Sequence, residues 1–222
     1  LAEKLNAQVP GVIAQAAKAC GAQLVHISTD SVFDGVRGDY RETDAPNPIN
    51  TYARTKLAGE VAVASAYPEA LVARVNFYGW SASGQRSLAE FFYYHLSAEQ
   101  TVNGFTDVYF SPLYARHLAQ LLLRMAEKGL GGLYHVFSPQ ATSKYAFGVS
   151  LARQFELDES LINPVSFADA GLSTPRPLNL SMNTEKLQAE LDVPLPSEQA
   201  GLQALYEDAL AGLPDKLVSY LA

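Results

Sequence analysis

An α/β fold with a parallel sheet wound on both faces is what the 222 residues predict, and three features carry that expectation. Helical and strand-like segments alternate along the chain, the strand-like runs are short and almost continuously apolar, and the intervals between them are long enough for crossover helices. Runs such as "QLVHIS", "ALVARVNF" and "GGLYHVF" suit strands covered on both sides, because a sheet with one wet face alternates apolar and polar residues instead.

Residues 1–19 are alanine-rich with apolar positions at helical spacing, so a helix is expected there, kinked or restarted at Pro10 and stopped at Gly21. "QLVHIS" follows as a strand, and "DGVRGDYRETDAPNPIN" holds the turn residues and prolines of a loop. A second helix starts at Asn50 or Thr51 and ends near Tyr67-Pro68, leading into the strand "ALVARVNF". "RSLAEFFYYHLSAEQ" reads as helix, and "SPLYARHLAQLLLRMAEKG" as a long helix with Ser111 as N-cap and Pro112 at its first position. "GLGG" at 129–132 is the turn that ends that helix, and "GGLYHVF" is the next strand. "SKYAFGVSLARQFELD" and "SEQAGLQALYEDALAG" give two more helices, with "INPVSF" and "LNLSM" as candidate short strands between them. No repeat, low-complexity tract or linker interrupts the series.

A composition of 48% hydrophobic and 18% charged residues is that of a globular protein. Sixteen basic against twenty-three acidic side chains give a net charge of −7 and no Lys/Arg stripe, which argues against nucleic acid as a partner. The most apolar helical stretch carries Arg124, Glu127 and Lys128, so no membrane span is expected. The single cysteine, Cys20, forms no internal disulfide, and without Cys/His ligand spacing no metal site is expected; a cytoplasmic location fits. The chain opens on Leu1 already in helical period, with Gln8, Pro10 and Gln15 breaking any signal-peptide pattern, so the natural start is expected upstream.

Chemistry is suggested first by Tyr52 and Lys56, four apart on a predicted helix and therefore on one face. A free phenol has a pKa of about 10, and a nearby ammonium favours the phenolate, so the pair is expected to lower the tyrosine toward general acid–base work. Thr29 ends a buried strand, and ligands of doubly wound sheets bind beyond the carboxyl ends of strands, where a hydroxyl can polarise a carbonyl. Turn capping by the short side chains is the competing role for Ser28 or Thr29. His26, His95, His117 and His135 show no ligand spacing, and Asp39, Glu42 and Asp44 in a Pro-rich loop read as turn-formers.

"VHISTDSVFDG", "YRETDAPNPINTYARTKLAGE", "RVNFYGW", "YFSPLYARHLAQLLL", "GLYHVFS" and "RPLNLSMNTEKL", in this order, resemble the extended short-chain dehydrogenase/reductases, specifically the dTDP-4-dehydrorhamnose reductase branch. The resemblance covers nearly the whole chain. It implies a partial Rossmann-like core over 1–80, and a small C-terminal α/β substrate lobe over 81–222 that also carries a core strand near 132–137. It implies NADP or NAD as cofactor and a nucleotide-sugar as substrate. Thr29, Tyr52 and Lys56 become the catalytic trio; Ser28, Tyr52, Lys56, Asn76 and Phe77 face the cofactor; and Thr29, Arg176 and, more weakly, Arg86 face the substrate. Asn6 is the resemblance's structural asparagine, placing the lysine through water.

Two departures accompany it. No Gly-rich dinucleotide turn is present, so the family's N-terminal portion is expected before Leu1, and with it the residue that separates NAD from NADP; without that turn the dinucleotide loses much of its anchorage, and inactivity of the 222 residues alone is one expectation. Ser31 stands where the family carries a tyrosine. Phe77, Tyr78 and Trp80 are equally suited to covering a ligand and to filling the space between lobes. A non-catalytic nucleotide-binding or regulatory subunit of the same fold is the alternative function. A shortened sheet also leaves a strand edge to be paired, by a copy of the chain or by another segment.

Overall fold

The structure, a computed structural model, describes residues 2–171 and 176–220. A π-helical turn at Lys4–Gln8 runs into α1 (Val9–Cys20), then β1 (Val25–Thr29), α2 (Thr51–Ala66), β2 (Leu71–Val75) and the short β3 (Phe77–Tyr78). There follow α3 (Leu88–Ser97), β4 (Val102–Phe105), β5 (Tyr109–Phe110), β6 (Leu113–Tyr114), α4 (Ala115–Glu127) and β7 (Gly132–Val136). The chain closes with β8 (Thr142–Ser143), α5 (Lys144–Gln154), β9 (Ile162–Val165), β10 (Asn179–Leu180), α6 (Glu185–Glu190), α7 (Glu198–Leu210) and α8 (Leu213–Ser219). Among the described residues no helix is long and apolar enough to cross a membrane.

The central sheet is β1-β2-β7, parallel throughout, with Val25 opposite Leu71 and Leu71 opposite Gly132. Alternation along the strands sends neighbouring side chains to opposite faces. Val72 packs with Ala14 of α1 and Val63 of α2. Leu71, Ala73 and Val75 pack on the other face with Leu118, Leu121 and Met125 of α4 and Leu187 of α6. Helices on both faces make the sheet doubly wound and Rossmann-like. Full burial of residues such as Leu121 and Met125 stabilises by roughly 1.5–3 kcal/mol each. A second core joins α3, α5 and α7 through Tyr78, Phe92, Phe147, Leu151, Leu202 and Leu205, and it carries the parallel pair β4–β9 on its flank.

The helix caps follow the sequence signals closely, with one exception. Gly21 ends α1 in the left-handed region at φ 68°, Asn50 caps α2 through the Ala53 N–H, and Ser87 and Glu90 form a reciprocal capping box on α3. The exception is α4, which begins at Ala115 and not at Pro112. Leu113 and Tyr114 pair instead with Phe77 and Tyr78, the Leu113 N–H donates to the Asn76 carbonyl at 2.9 Å, and the Ser111 hydroxyl accepts from the Met182 N–H at 3.4 Å. Tertiary pairing overrides a local Ser-Pro start signal here.

The two sheet margins differ. On β7 the outward His135 N–H donates to the Glu42 carboxylate at 2.9 Å, and the outward Leu133 carbonyl accepts from Lys186 at 2.7 Å. The β1 ladder starts with the Leu71 N–H on the Leu24 carbonyl, so the Ile27 carbonyl faces away from β2. Among the described residues no strand pairs with that side, and Ile27 is 37% exposed.

Candidate active site

The polar knot after β1 is built around a buried carboxylate. Asp30, 2% exposed, accepts from Thr29 Oγ1 at 3.0 Å, Ser31 Oγ at 3.2 Å and Asn76 Nδ2 at 2.6 Å, which ties the end of β1 to the end of β2. Burial pushes its pKa up and these three donors pull it back. Thr29 also caps the short 3-10 turn that follows, its oxygen accepting from the Ser31 N–H at 3.2 Å. The turn-capping role therefore falls on Thr29. Ser28 points to the opposite face of the sheet and donates to the Glu60 carboxylate, so its hydroxyl is spent inside the sheet–helix layer and lies away from Thr29.

Helix α2 brings Tyr52 to this knot. Tyr52 is half exposed, and the Thr29 hydroxyl lies near enough to its phenol to favour the phenolate. Burial raises the Tyr52 pKa, Thr29 offsets part of that rise, and Asp30 adds to it. The expected net lowering is corrected, since burial of the phenol outweighs what lowers it, while the Lys56 ammonium donates to the Ile27 carbonyl at 2.6 Å. Burial lowers the Lys56 pKa, with Glu60 opposing. A phenol held protonated at neutral pH is a proton donor.

Asn6 reaches the same helix directly. Its Nδ2 donates to Thr55 Oγ1 at 3.0 Å, and Thr55 donates to the Tyr52 carbonyl at 2.8 Å. Pro10 lacks the N–H that the Asn6 carbonyl would otherwise receive, and the π-turn leaves that oxygen against Gly59, where a Cβ would stand 2.1 Å from it.

The other candidates divide. Asn76 belongs to the knot through Asp30, and Phe77, one residue on, is 53% exposed. Tyr78 is core against Tyr114 and Phe147, while Trp80 packs on Tyr93 and Phe155 and donates to the Leu205 carbonyl at 3.0 Å. Arg176 is exposed and lines a groove over α3 and β4. Arg86, also exposed, lies in the loop leading to α3, with its N–H on Glu90 at 2.9 Å.

Beneath the site lies a polar assembly that none of the sequence motifs above includes. Arg74 on β2, 2% exposed, forms a two-pronged pair with Glu60 at 2.9 and 2.7 Å, lies over the Phe33 ring and faces His135 Nε2 at 3.4 Å. His135 Nδ1 in turn donates to the Tyr40 carbonyl at 3.1 Å. The signal was available: an arginine in the middle of "LVARV" needs a buried partner, and Glu60 continues the Tyr52, Lys56 spacing by one more turn.

A doubly wound sheet whose first strand ends in a threonine beside a Tyr-x-x-x-Lys helix is the arrangement of a short-chain dehydrogenase/reductase. The family model described as RmlD substrate binding domain matches residues 1–211. The dTDP-4-dehydrorhamnose reductase of Salmonella typhimurium is 33% identical over 218 residues, covering 92% of this chain and 72% of that protein. Methionine adenosyltransferase 2 subunit beta of Xenopus tropicalis is 31% identical over 194 residues, 84% of this chain and 58% of that protein. The crystal structure of dTDP-4-dehydrorhamnose reductase from Bacillus anthracis in complex with NADP superposes with a TM-score of 0.84 at 26% identity, over 91% of this chain and 72% of that one. The chain belongs to the dTDP-4-dehydrorhamnose reductase family.

Proposed function

We propose that this chain is an NAD(P)-dependent reductase of a nucleotide-linked 4-keto-deoxysugar. Residues 1–80 supply the catalytic groups, and 81–222, apart from the sheet strand near 132–137, receive the substrate. The observation that carries the reading is the approach of the Tyr52 phenol on α2 to Thr29 at the end of β1, with Lys56 one helical turn along the same helix. The residues present suit the nicotinamide-ribose end of the cofactor, since a half-exposed phenol and an ammonium held by a single outward carbonyl share one face of α2. When bound, that cofactor supplies hydride to the ketone carbon.

Thr29 donates to the ketone oxygen by turning its hydrogen away from Asp30. Tyr52 holds the proton that the developing alkoxide takes. Lys56 exchanges the Ile27 carbonyl for ribose hydroxyls and then stabilises the phenolate left behind. An exposed, unpaired Cys20 agrees with a reducing cytoplasm. The outward margin of β1 is the place for a further strand or a second copy of the chain.

The test is oxidation of NADPH in the presence of dTDP-4-dehydrorhamnose. Wild-type turnover is expected, with Tyr52→Phe slower by about 10²–10⁴-fold while NADPH binding is retained. Undiminished turnover in Tyr52→Phe removes the assigned donor. The likeness to a methionine adenosyltransferase subunit and the docked Lys56 favour a second reading, a non-catalytic regulatory subunit. NADPH and dTDP binding without any turnover would select it.

A further inference from the structure

On the α2 face of the central sheet a groove of about 490 Å³ lies open beside β7. Val72 is covered on that face by α1 and α2, whereas α4 and α6 pack with Tyr134 and Val136 of β7 on the opposite face. Leu133, which alternation sends toward α2, is left on the groove floor, and the loop at 42–46 makes the far bank. The near bank is α2 itself, presenting Leu57, Val61 and Ala64 at helical spacing, with Val61 60% exposed. Neither Thr29, Tyr52 nor Lys56 lines this groove.

Polarity is gathered at one end. The floor runs from Ala70 through Val72 to Arg74, roughly 13 Å of extended chain. Arg74 is engaged by Glu60 through two hydrogen bonds, and Asp44 by the Arg41 N–H at 2.7 Å and the Arg37 guanidinium. Glu42 has no such partner: half-buried, it receives the His135 N–H on one oxygen, and among the described residues it joins none of the ion pairs. His135 stands opposite Arg74 in the β2–β7 register, which places Glu42 at the Arg74 end of the groove. An apolar channel that ends at a partly desolvated, unpaired carboxylate complements an apolar body carrying a positive charge.

We propose that this groove is a binding site for small amphiphilic cations. The alkyl or aryl body lies between α2 and the 42–46 loop, over Val72 and Leu133, and its ammonium meets Glu42. The site is separate from the Thr29–Tyr52 chemistry, so it stands or falls independently of the reductase reading.

Titration of the full chain with octylammonium, octanol and octanoate, followed by calorimetry and by the NMR shifts of the Val61 and Leu133 methyl groups, is the test. Octylammonium is expected to bind about 10-fold more tightly than octanol, octanoate more weakly than either, and both methyl groups to shift. Glu42→Gln is expected to weaken octylammonium by about 10-fold, as the loss of one charge-assisted contact does, and to leave octanol unchanged. Val61→Ser, a change on an exposed side chain that leaves the fold intact, is expected to weaken octylammonium and octanol alike, by about 3-fold. Equal affinity for the three probes, a preference for octanoate, or no binding at millimolar concentration overturns the proposal. Unaltered octylammonium affinity in either variant, or shifts that bypass Val61 and Leu133, overturns it too. A dimer that grows with protein concentration, buries Val61 and is indifferent to octylammonium does the same, since the groove is then an interface between copies of the chain.

Discussion

Arg74 and Glu60 are nearly inaccessible to water, and each is the other's compensation for lost hydration. Removing one partner leaves a buried charge, which typically costs about 3–5 kcal/mol, whereas replacing both by apolar residues of similar volume costs much less. Arg74→Met is therefore expected to destabilise by that amount and Arg74→Met/Glu60→Met by clearly less, read from urea denaturation midpoints. The same scale shows what a sequence conveys about individual side chains. Tyr52 and Lys56 were legible because four residues on a helix is one face. The division of labour between Ser28 and Thr29 was not, because adjacent strand residues face opposite ways and only the position of α2 decides which face holds Glu60. The direction of the Tyr52 pKa shift is hidden for a related reason: helical spacing gives the lysine's place beside the phenol but not the phenol's burial, which sets the sign.

Helix α2 is positioned by contacts along its whole length, and its closest approach is at Gly59, against the Asn6 carbonyl. A methyl group at 59 has nowhere to go unless the first helical turn moves away. Gly59→Ala is expected to cost about 1–3 kcal/mol and to lower turnover by moving Lys56, despite the better helix propensity of alanine. Thermal unfolding and steady-state kinetics check the two parts separately. Elements with apolar runs and capping residues were foreseen nearly to their ends: β1, α2, β2, α3, β7, α5 and α7. The start of α4 was not, since Ser111-Pro112 carries a good local start signal that pairing of Leu113–Tyr114 with β3 outweighs. The short β4, β5, β6 and β8 have too few residues for a period to register.

Acid response belongs to the molecule as a whole, because His135 joins β7, the loop after β1 and the Arg74–Glu60 pair. Its Nδ1 donates to the Tyr40 carbonyl and its Nε2 faces the Arg74 guanidinium, an arrangement for the neutral ring, and burial lowers its pKa from 6.5 to about 4. The folded state binds the proton less readily than the unfolded chain. This contribution is thus complete above pH 6.5 and is lost as pH falls toward about 4. Denaturation midpoints measured across that window are expected to decline steeply in the wild type and less steeply in His135→Gln. The parallel, doubly wound architecture was readable from the succession of buried runs and helices. The union of the loop after β1 with the segment around β10 was not, because no periodic pattern reports on partners so far apart.

That union has a consequence for how the protein comes into being. Tyr40 bridges to Met182, the Asn179 N–H donates to the Gly35 carbonyl, and the Asp39 N–H donates to Ser181 Oγ at 2.7 Å, across a separation of 142 residues. On the ribosome the stretch holding Thr29 emerges well before its enclosing contacts, which wait for residues translated much later. Nascent chains stopped before Asn179 would carry Thr29, Tyr52 and Lys56 and still lack the clasp that sets the loop after Thr29.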